Sequence, residues 1–241
     1  MKVALVILLC TIVLIFLFLL KLKKGKGGRI HGSEVEKMTF DEALVVDVRW
    51  QKEYDKTHAK NAIHVPLRAL KDGSKVLDKY KDKHIILYCV VDITSRSAKK
   101  ILEERGFDNL SIGDGIRQYN YGTNTHKNIL MSEMKYLVTN KKPLLLNFGK
   151  ESLDISEINV TLGTLNNMLE LINKNQEILV YSDNPNVSLE AAIKISEKGY
   201  KVFNLIEPFK KDKYTFTTYL KKDYEVDSKK QNLIESNECN S

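Results

Sequence analysis

"HIILYCVVDITSRSAKKILEERGF", residues 84–107, is the stretch on which the reading of this chain turns. Ile85-Ile86-Leu87-Tyr88 is an unbroken apolar run, as expected of a strand buried on both faces. It ends at Cys89. A short loop follows, and Ser95-Arg96-Ser97-Ala98 opens a helix-period stretch, Ser95–Arg105, closed by Gly106 as a helix stop. A cysteine between a strand's carboxyl end and a helix's amino end is either a nucleophile cradled by backbone N–H groups or a small core residue.

The same alternation extends to both sides. Leu44–Val48 and Ala62–Val65, the latter stopped by Pro66, read as strands; Leu67–Tyr80 is loosely helical, and Asn109–Ile112 reads as a further strand. Strands alternating with helices predict an α/β fold with a mainly parallel sheet flanked by helices.

The amino-terminal end differs in kind. Val3 to Leu20 carries no charge and is long enough to cross a bilayer as a helix. Lys21, Lys23, Lys24, Lys26 and Arg29 follow at once. Residues 1–20 are therefore expected to be a transmembrane anchor and 21–33 a basic juxtamembrane linker; a cleaved signal or lipoprotein precursor is the alternative, with Cys10 inside the apolar run. Residues 1–30 hold six Lys or Arg and no acid, which leaves 32 basic against 31 acidic residues in the rest of the 241-residue chain. The pI near 9 is then a membrane-flank signature, and no nucleic-acid partner is expected. The heavier cationic flank after the span predicts a single-pass membrane protein with its soluble part in the cytoplasm. Cys10, Cys89 and Cys239 sit in the span, the folded part and the polar tail at 221–241, so no disulfide framework is implied.

"VVDVRWQKEYDKTHAKNAIHVP" (45–66) resembles the opening pattern of the rhodanese family: Asp47, Arg49, Glu53, Tyr54, His58, Ala62, Ile63 and Pro66 stand in register, while Thr57 and Asn61 occupy usual glycine positions. "YCVVDITSRSAKKIL" resembles the family's strand, active-site loop and helix, with Ser95, Ala98 and Leu102 at the expected offsets from Cys89. "GFDNLSIGDGIRQY" (106–119) resembles its closing segment, with Tyr119 where tryptophan is common. The resemblance covers roughly residues 34–122 and implies a rhodanese-like domain over 34–125. It implies a sulfurtransferase with Cys89 as nucleophile and Val90, Val91, Asp92, Ile93, Thr94 and Ser95 as the substrate-binding loop. Asp47, Arg49 and Arg96 are possible supporting residues, with no cofactor and no metal. Asp47 and Arg49 read more readily as structural, and His58 as a packing histidine. His31, His64, His84 and His126 lack metal-ligand spacing.

An internal repeat follows. "PLLLNF" (143–148) parallels the Asp47 strand with Asn147 in the aspartate's place, and "EINVTLGTL" (157–165) parallels residues 62–70. In the stretch from Glu177 onward, Ser182 stands where Cys89 does; Ser188 matches Ser95, Ala191 matches Ala98, and Gly199-Tyr200 match Gly106-Phe107. Residues 134–220 are thus expected to be a second, degenerate rhodanese-like domain.

Sulfur transfer needs a thiolate that takes a sulfane sulfur and holds it as a persulfide until a thiol or other nucleophile removes it. The loop departs from the family pattern: Asp92 stands where glycine is usual and Thr94 where a cation closes the loop. From sequence, Asp92 is expected to set negative charge in the path of an anionic donor and to raise the Cys89 pKa. The expected partners are the membrane and a small sulfur donor or a protein persulfide or thiol acceptor. The alternative is a catalytically inactive binding or scaffold protein at the membrane.

Overall fold

The structure, a computed structural model, describes residues 27–153 and 155–210. The apolar segment Val3–Leu20, the tail at 221–241, Cys10 and Cys239 lie outside the described residues. Among the described residues no helix is long and apolar enough to cross a membrane.

The apolar runs found in the sequence form the middle of one sheet. Its strands are β1 (Arg29–Ile30), β2 (Leu44–Asp47), β3 (Ala62–His64), β4 (Ile85–Tyr88), β5 (Leu110–Gly113), β6 (Lys127–Ile129), β7 (Leu144–Asn147), β8 (Ile158–Asn159), β9 (Ile178–Tyr181) and β10 (Val202–Leu205). Their order is β1-β5-β4-β2-β3-β6-β10-β9-β7-β8. Every pairing is parallel. The second five strands repeat the order of the first five, and β3 meets β6 at the pair Ile63 and Asn128. Sequence reading gives each half a sheet of its own; the structure joins the halves edge to edge. β1 and β6 also fall outside the expected spans 34–125 and 134–220, and Arg29–Ile30 is strand rather than linker.

Parallel strands need covered faces, and the sequence supplies alternating side chains for two cores. Ile85, Leu87 and Cys89 pack with Val46, Val48 and Leu70 on one face, whereas Ile86 and Tyr88 pack with Val45 and Tyr121 on the other. The helices are α1 (Gly32–Val35), α2 (Gln51–Tyr54), α3 (Leu67–Lys71), α4 (Ile93–Glu104), α5 (Met131–Asn140), α6 (Leu165–Glu170) and α7 (Pro185–Glu197). The expected helix over Leu67–Tyr80 breaks: α3 stops before Gly73, whose φ of +84° ends it, and only a 3-10 turn, Asp78–Tyr80, follows. α4 begins at Ile93, two residues before the expected Ser95, so Ile93 and Thr94 belong to the helix rather than the loop. It ends as expected. Phe107 N–H bonds the Leu102 carbonyl and Gly106 N–H that of Glu103, the paired bonds of a glycine-terminated helix.

Candidate active site

Cys89 lies immediately past β4, and α4 starts four residues on, at Ile93. Cys89 is only 2% exposed and packs in the core, and it sits between the end of β4 and the amino end of α4. The thiol donates to Ser95 Oγ at 3.5 Å. Burial pushes the thiol's pKa up. The Ser95 hydroxyl and the N–H groups of Ser95, Val91 and Thr94 outweigh burial by hydrogen bonding to the sulfur, and the thiol is held below its ordinary value. The expectation of a raised pKa is therefore corrected.

The reason is where Asp92 points. Its backbone is left-handed, φ +79°, the conformation that glycine in this place adopts freely. Its carboxylate is buried and turns to Arg29, whose Nη1 donates to Oδ2 at 2.5 Å; Arg96 Nη2 lies 3.8 Å from the same oxygen. The Asp92 charge is paired by Arg29 instead of standing free in the donor's path. Arg29 also donates from Nε to Asp114 Oδ1 at 2.8 Å. Sequence reading missed Arg29 because it sits among the flank's cations and pairs across 63 residues with Asp92.

The loop is pinned from the other side by the turn after β5. Ile116 N–H bonds the Cys89 carbonyl at 3.0 Å, and Arg117 N–H bonds that of Val90. A Cβ on Gly115 would lie 2.2 Å from the Val90 carbonyl oxygen, so only glycine fits this approach. The Asp114-Gly115 dipeptide after a strand was the signal for that turn.

Asp47 and Arg49 form a buried ion pair at 2.7 Å, and Arg49 Nη2 also donates to the Thr57 carbonyl at 2.6 Å. Arg49 lines a cleft of about 650 Å³ together with Val48, Trp50, Leu67, Val90 and Thr94. Two of the loop residues thus face the cleft beside Cys89, and Trp50, unremarked in the sequence, is 64% exposed there. Val91 is exposed and Ile93 is 74% exposed; Ser95 is fully buried. His58 is a packing residue, stacked on Tyr54 with ring centroids 3.9 Å apart. Among the described residues no cluster of His, Cys, Asp and Glu is arranged to hold a metal ion.

The second half reproduces this frame without its chemistry. Phe209 N–H bonds the Ser182 carbonyl as Ile116 N–H bonds that of Cys89, and Gly149 N–H bonds Asn147 Oδ1 as Arg49 N–H bonds Asp47 Oδ1. The buried Ser182 hydroxyl accepts from Asn184 N–H at 3.0 Å. No arginine stands at position 149, and no thiol at 182.

The rhodanese-like domain pattern matches residues 32–118. The tRNA uridine(34) hydroxylases of Erwinia tasmaniensis and Cronobacter sakazakii are each 32% identical over 99 residues, which is 39% of this chain. The chain spans 28% of the length of these curated relatives. Among solved structures, a rhodanese with anions from E. coli is 26% identical with a TM-score of 0.30, covering 32% of this chain and 92% of that one. A thiosulfate sulfurtransferase from Pseudomonas aeruginosa is 14% identical with a TM-score of 0.36, covering 74% of this chain and 40% of that one.

Proposed function

We propose, for a chain whose residues 32–118 form a rhodanese-like domain, that Cys89 carries sulfane sulfur as a persulfide and passes it to a thiol or other nucleophilic acceptor. The observation that carries this reading is the place of the sulfur, between the end of β4 and the amino end of α4 with Ser95 Oγ 3.5 Å away, where a ring of N–H donors lowers the thiol's pKa. Such a ring stabilises a thiolate and, after loading, the terminal sulfur anion.

The chemistry is two displacements. The Cys89 thiolate attacks the outer sulfur of thiosulfate or of an organic persulfide; a new S–S bond forms on Cys89 as the donor's S–S bond breaks, and sulfite or the donor thiolate leaves with the electron pair. An acceptor thiolate then attacks the outer sulfur of the persulfide, and Cys89 departs as thiolate. The steps balance without an external oxidant. Arg49, fixed by Asp47, forms part of the wall of the adjoining cleft, whereas Arg96, on the first turn of α4, does not line it and lies toward Asp92.

The test is intact-mass spectrometry of the full chain after incubation with thiosulfate or with glutathione persulfide. Wild type gains one reducible sulfur atom, Cys89→Ser gains none, and Ser182→Ala behaves as wild type. A wild-type chain that loads from neither donor overturns the reading. That result is expected under the second reading, a binding or scaffold protein without turnover, whose supporting observation is that Cys89 is only 2% exposed.

The proposal extends to the rest of the chain. Residues 134–220 are read as a degenerate rhodanese-like repeat; the repeated strand order and the matching hydrogen bonds support this. A serine oxygen cannot carry a persulfide, so that half is catalytically silent. Val3–Leu20 is read as a single membrane span, with the folded part in the cytoplasm on the strength of the cationic flank. An impermeant thiol reagent applied to intact cells then leaves Cys239 unlabelled. The whole activity of the tRNA hydroxylases is not carried over, because the match covers 28% of their length.

A further inference from the structure

Asp92 is the N-cap residue of α4, and aspartate at an N-cap ordinarily turns its carboxylate onto the first free N–H groups of the helix. Here it makes no such bond. The left-handed backbone and the bond to Arg29 Nη1 hold the carboxylate away, which leaves the N–H groups at this end free of it, next to the Cys89 thiol that bonds Ser95 Oγ at 3.5 Å. Asp92 Oδ1 has no hydrogen-bond partner, so its burial is offset chiefly by Arg29. Arg29 is itself fixed: its Nε donates to Asp114 Oδ1, and Asp114 Oδ2 accepts from Gly32 N–H at 3.1 Å. The strand that presents it pairs Arg29 with Ile112 of β5.

We propose that Arg29 is a positioning residue for Cys89: by holding the Asp92 carboxylate off the amino end of α4, it reserves the N–H groups there for the sulfur. The other charged groups at this end of the sheet do not compete for that place. Asp47 is closed on Arg49, Asp114 on Arg29 with His31 Nε2 3.7 Å from its other oxygen, Arg96 is exposed with Nη2 3.8 Å from Asp92 Oδ2, and Arg117 is exposed. Without Arg29, a buried carboxylate within one turn of the helix end is drawn to the nearest unsatisfied donors, by hydrogen bonding and by the positive end of the helix dipole. It then displaces or repels the thiolate. The strand next to the basic flank thereby controls a thiol some 60 positions away in sequence.

The inference rests on Cys89 being the reacting thiol, but its test does not depend on sulfur transfer. The full chain is alkylated with iodoacetamide across a pH series, and modification of Cys89 is followed by peptide mass spectrometry. Arg29→Met raises the midpoint by about one unit, roughly a tenfold loss of thiolate below the midpoint; Arg29→Lys, which keeps charge but cannot bridge both carboxylates, raises it less. Adding Asp92→Gly to Arg29→Met returns the midpoint to the wild-type value, because the competing carboxylate is gone and glycine accepts the positive φ. A purely structural role for Arg29 leaves the double variant as perturbed as the single one. An unchanged midpoint in Arg29→Met, or an unrepaired one in the double variant, overturns the proposal. If the midpoints shift as stated while no donor loads Cys89, the sulfur-transfer reading fails and the role of Arg29 stands.

Discussion

Replacing Arg49 by methionine keeps the aliphatic stem and removes the guanidinium from a buried ion pair. Arg49 Nε lies 3.0 Å from each Asp47 oxygen, and Nη2 lies 2.7 Å from Oδ2 and 2.6 Å from the Thr57 carbonyl. The two side chains are 4% and 0% exposed. After the substitution Asp47 Oδ1 still accepts from the residue-49 N–H at 2.9 Å, whereas Oδ2 and the Thr57 carbonyl lose this donor. Stripping one partner from a buried ion pair costs about 3–5 kcal/mol. In a chain of this size that corresponds to a fall in Tm of roughly 6–20 °C. The second half shows how to repair it: Asn147 stands at the matching strand end, its amide donating to the Glu151 carbonyl at 3.1 Å, without an arginine. Asp47→Asn combined with Arg49→Met should therefore recover at least half of the loss, since no charge is left stranded. Calorimetry of the full chain measures all three proteins. A Tm within about 2 °C of wild type for Arg49→Met, or a double variant less stable than the single one, refutes the reasoning.

Ser95→Ala should raise the Cys89 midpoint by about half to one unit; the hydroxyl now donates to the Asp92 carbonyl and gives that bond up to meet a thiolate, so the net gain is modest. An alkylation profile that does not move removes Ser95 from the site. Gly115→Ala should cost about 1–3 kcal/mol and slow Cys89 alkylation, because the new methyl group pushes against the Val90 and Cys89 carbonyls; a normal rate and Tm would show that the turn yields freely. His58 and His126 are buried, and burial holds each near a pKa of about 4, against 6.5 in the unfolded chain. Their folded values are depressed, so stability is full above about pH 6.5 and declines as pH falls toward 4, by up to about 3 kcal/mol for each histidine. His126→Gln should flatten the decline in Tm between pH 7 and 4.5, and a parallel curve would exclude His126 as a source.

Strands β2, β3, β4, β5, β7 and β9 were legible because each is a local apolar run, and Cys89 and Ser182 because their spacings to Ser95 and Ser188 are local too. What was not legible depends on pairing at long range. β1 has two residues and shows no period, so nothing marked Arg29 as the partner of Asp92, and the charge of Asp92 was placed in the path of an anionic donor. The joining of the halves was hidden for a related reason. Its seam is polar: Asn128 donates to the Lys60 and Ala62 carbonyls, and Asn204 donates to Asn128 Oδ1. Such residues read as loop to any hydrophobic pattern. The early start of α4 was obscured by Ile93, an apolar side chain that the helix leaves exposed.

The seam between β3 and β6 also governs how the chain meets its neighbours in a crowded solution. An open sheet edge is a row of unpaired N–H and C=O groups and a template for foreign strands. Cut loose, the Cys89 half would end at β3 and offer such an edge beside its cleft. In the whole chain β6 lies against β3, and the Asn128 amide covers carbonyls at that margin. Among the described residues the margins that remain are β1 and β8, two residues each, too short to recruit another strand. A half without a thiol can thus be retained for closing an edge, and its loss would be felt first as aggregation.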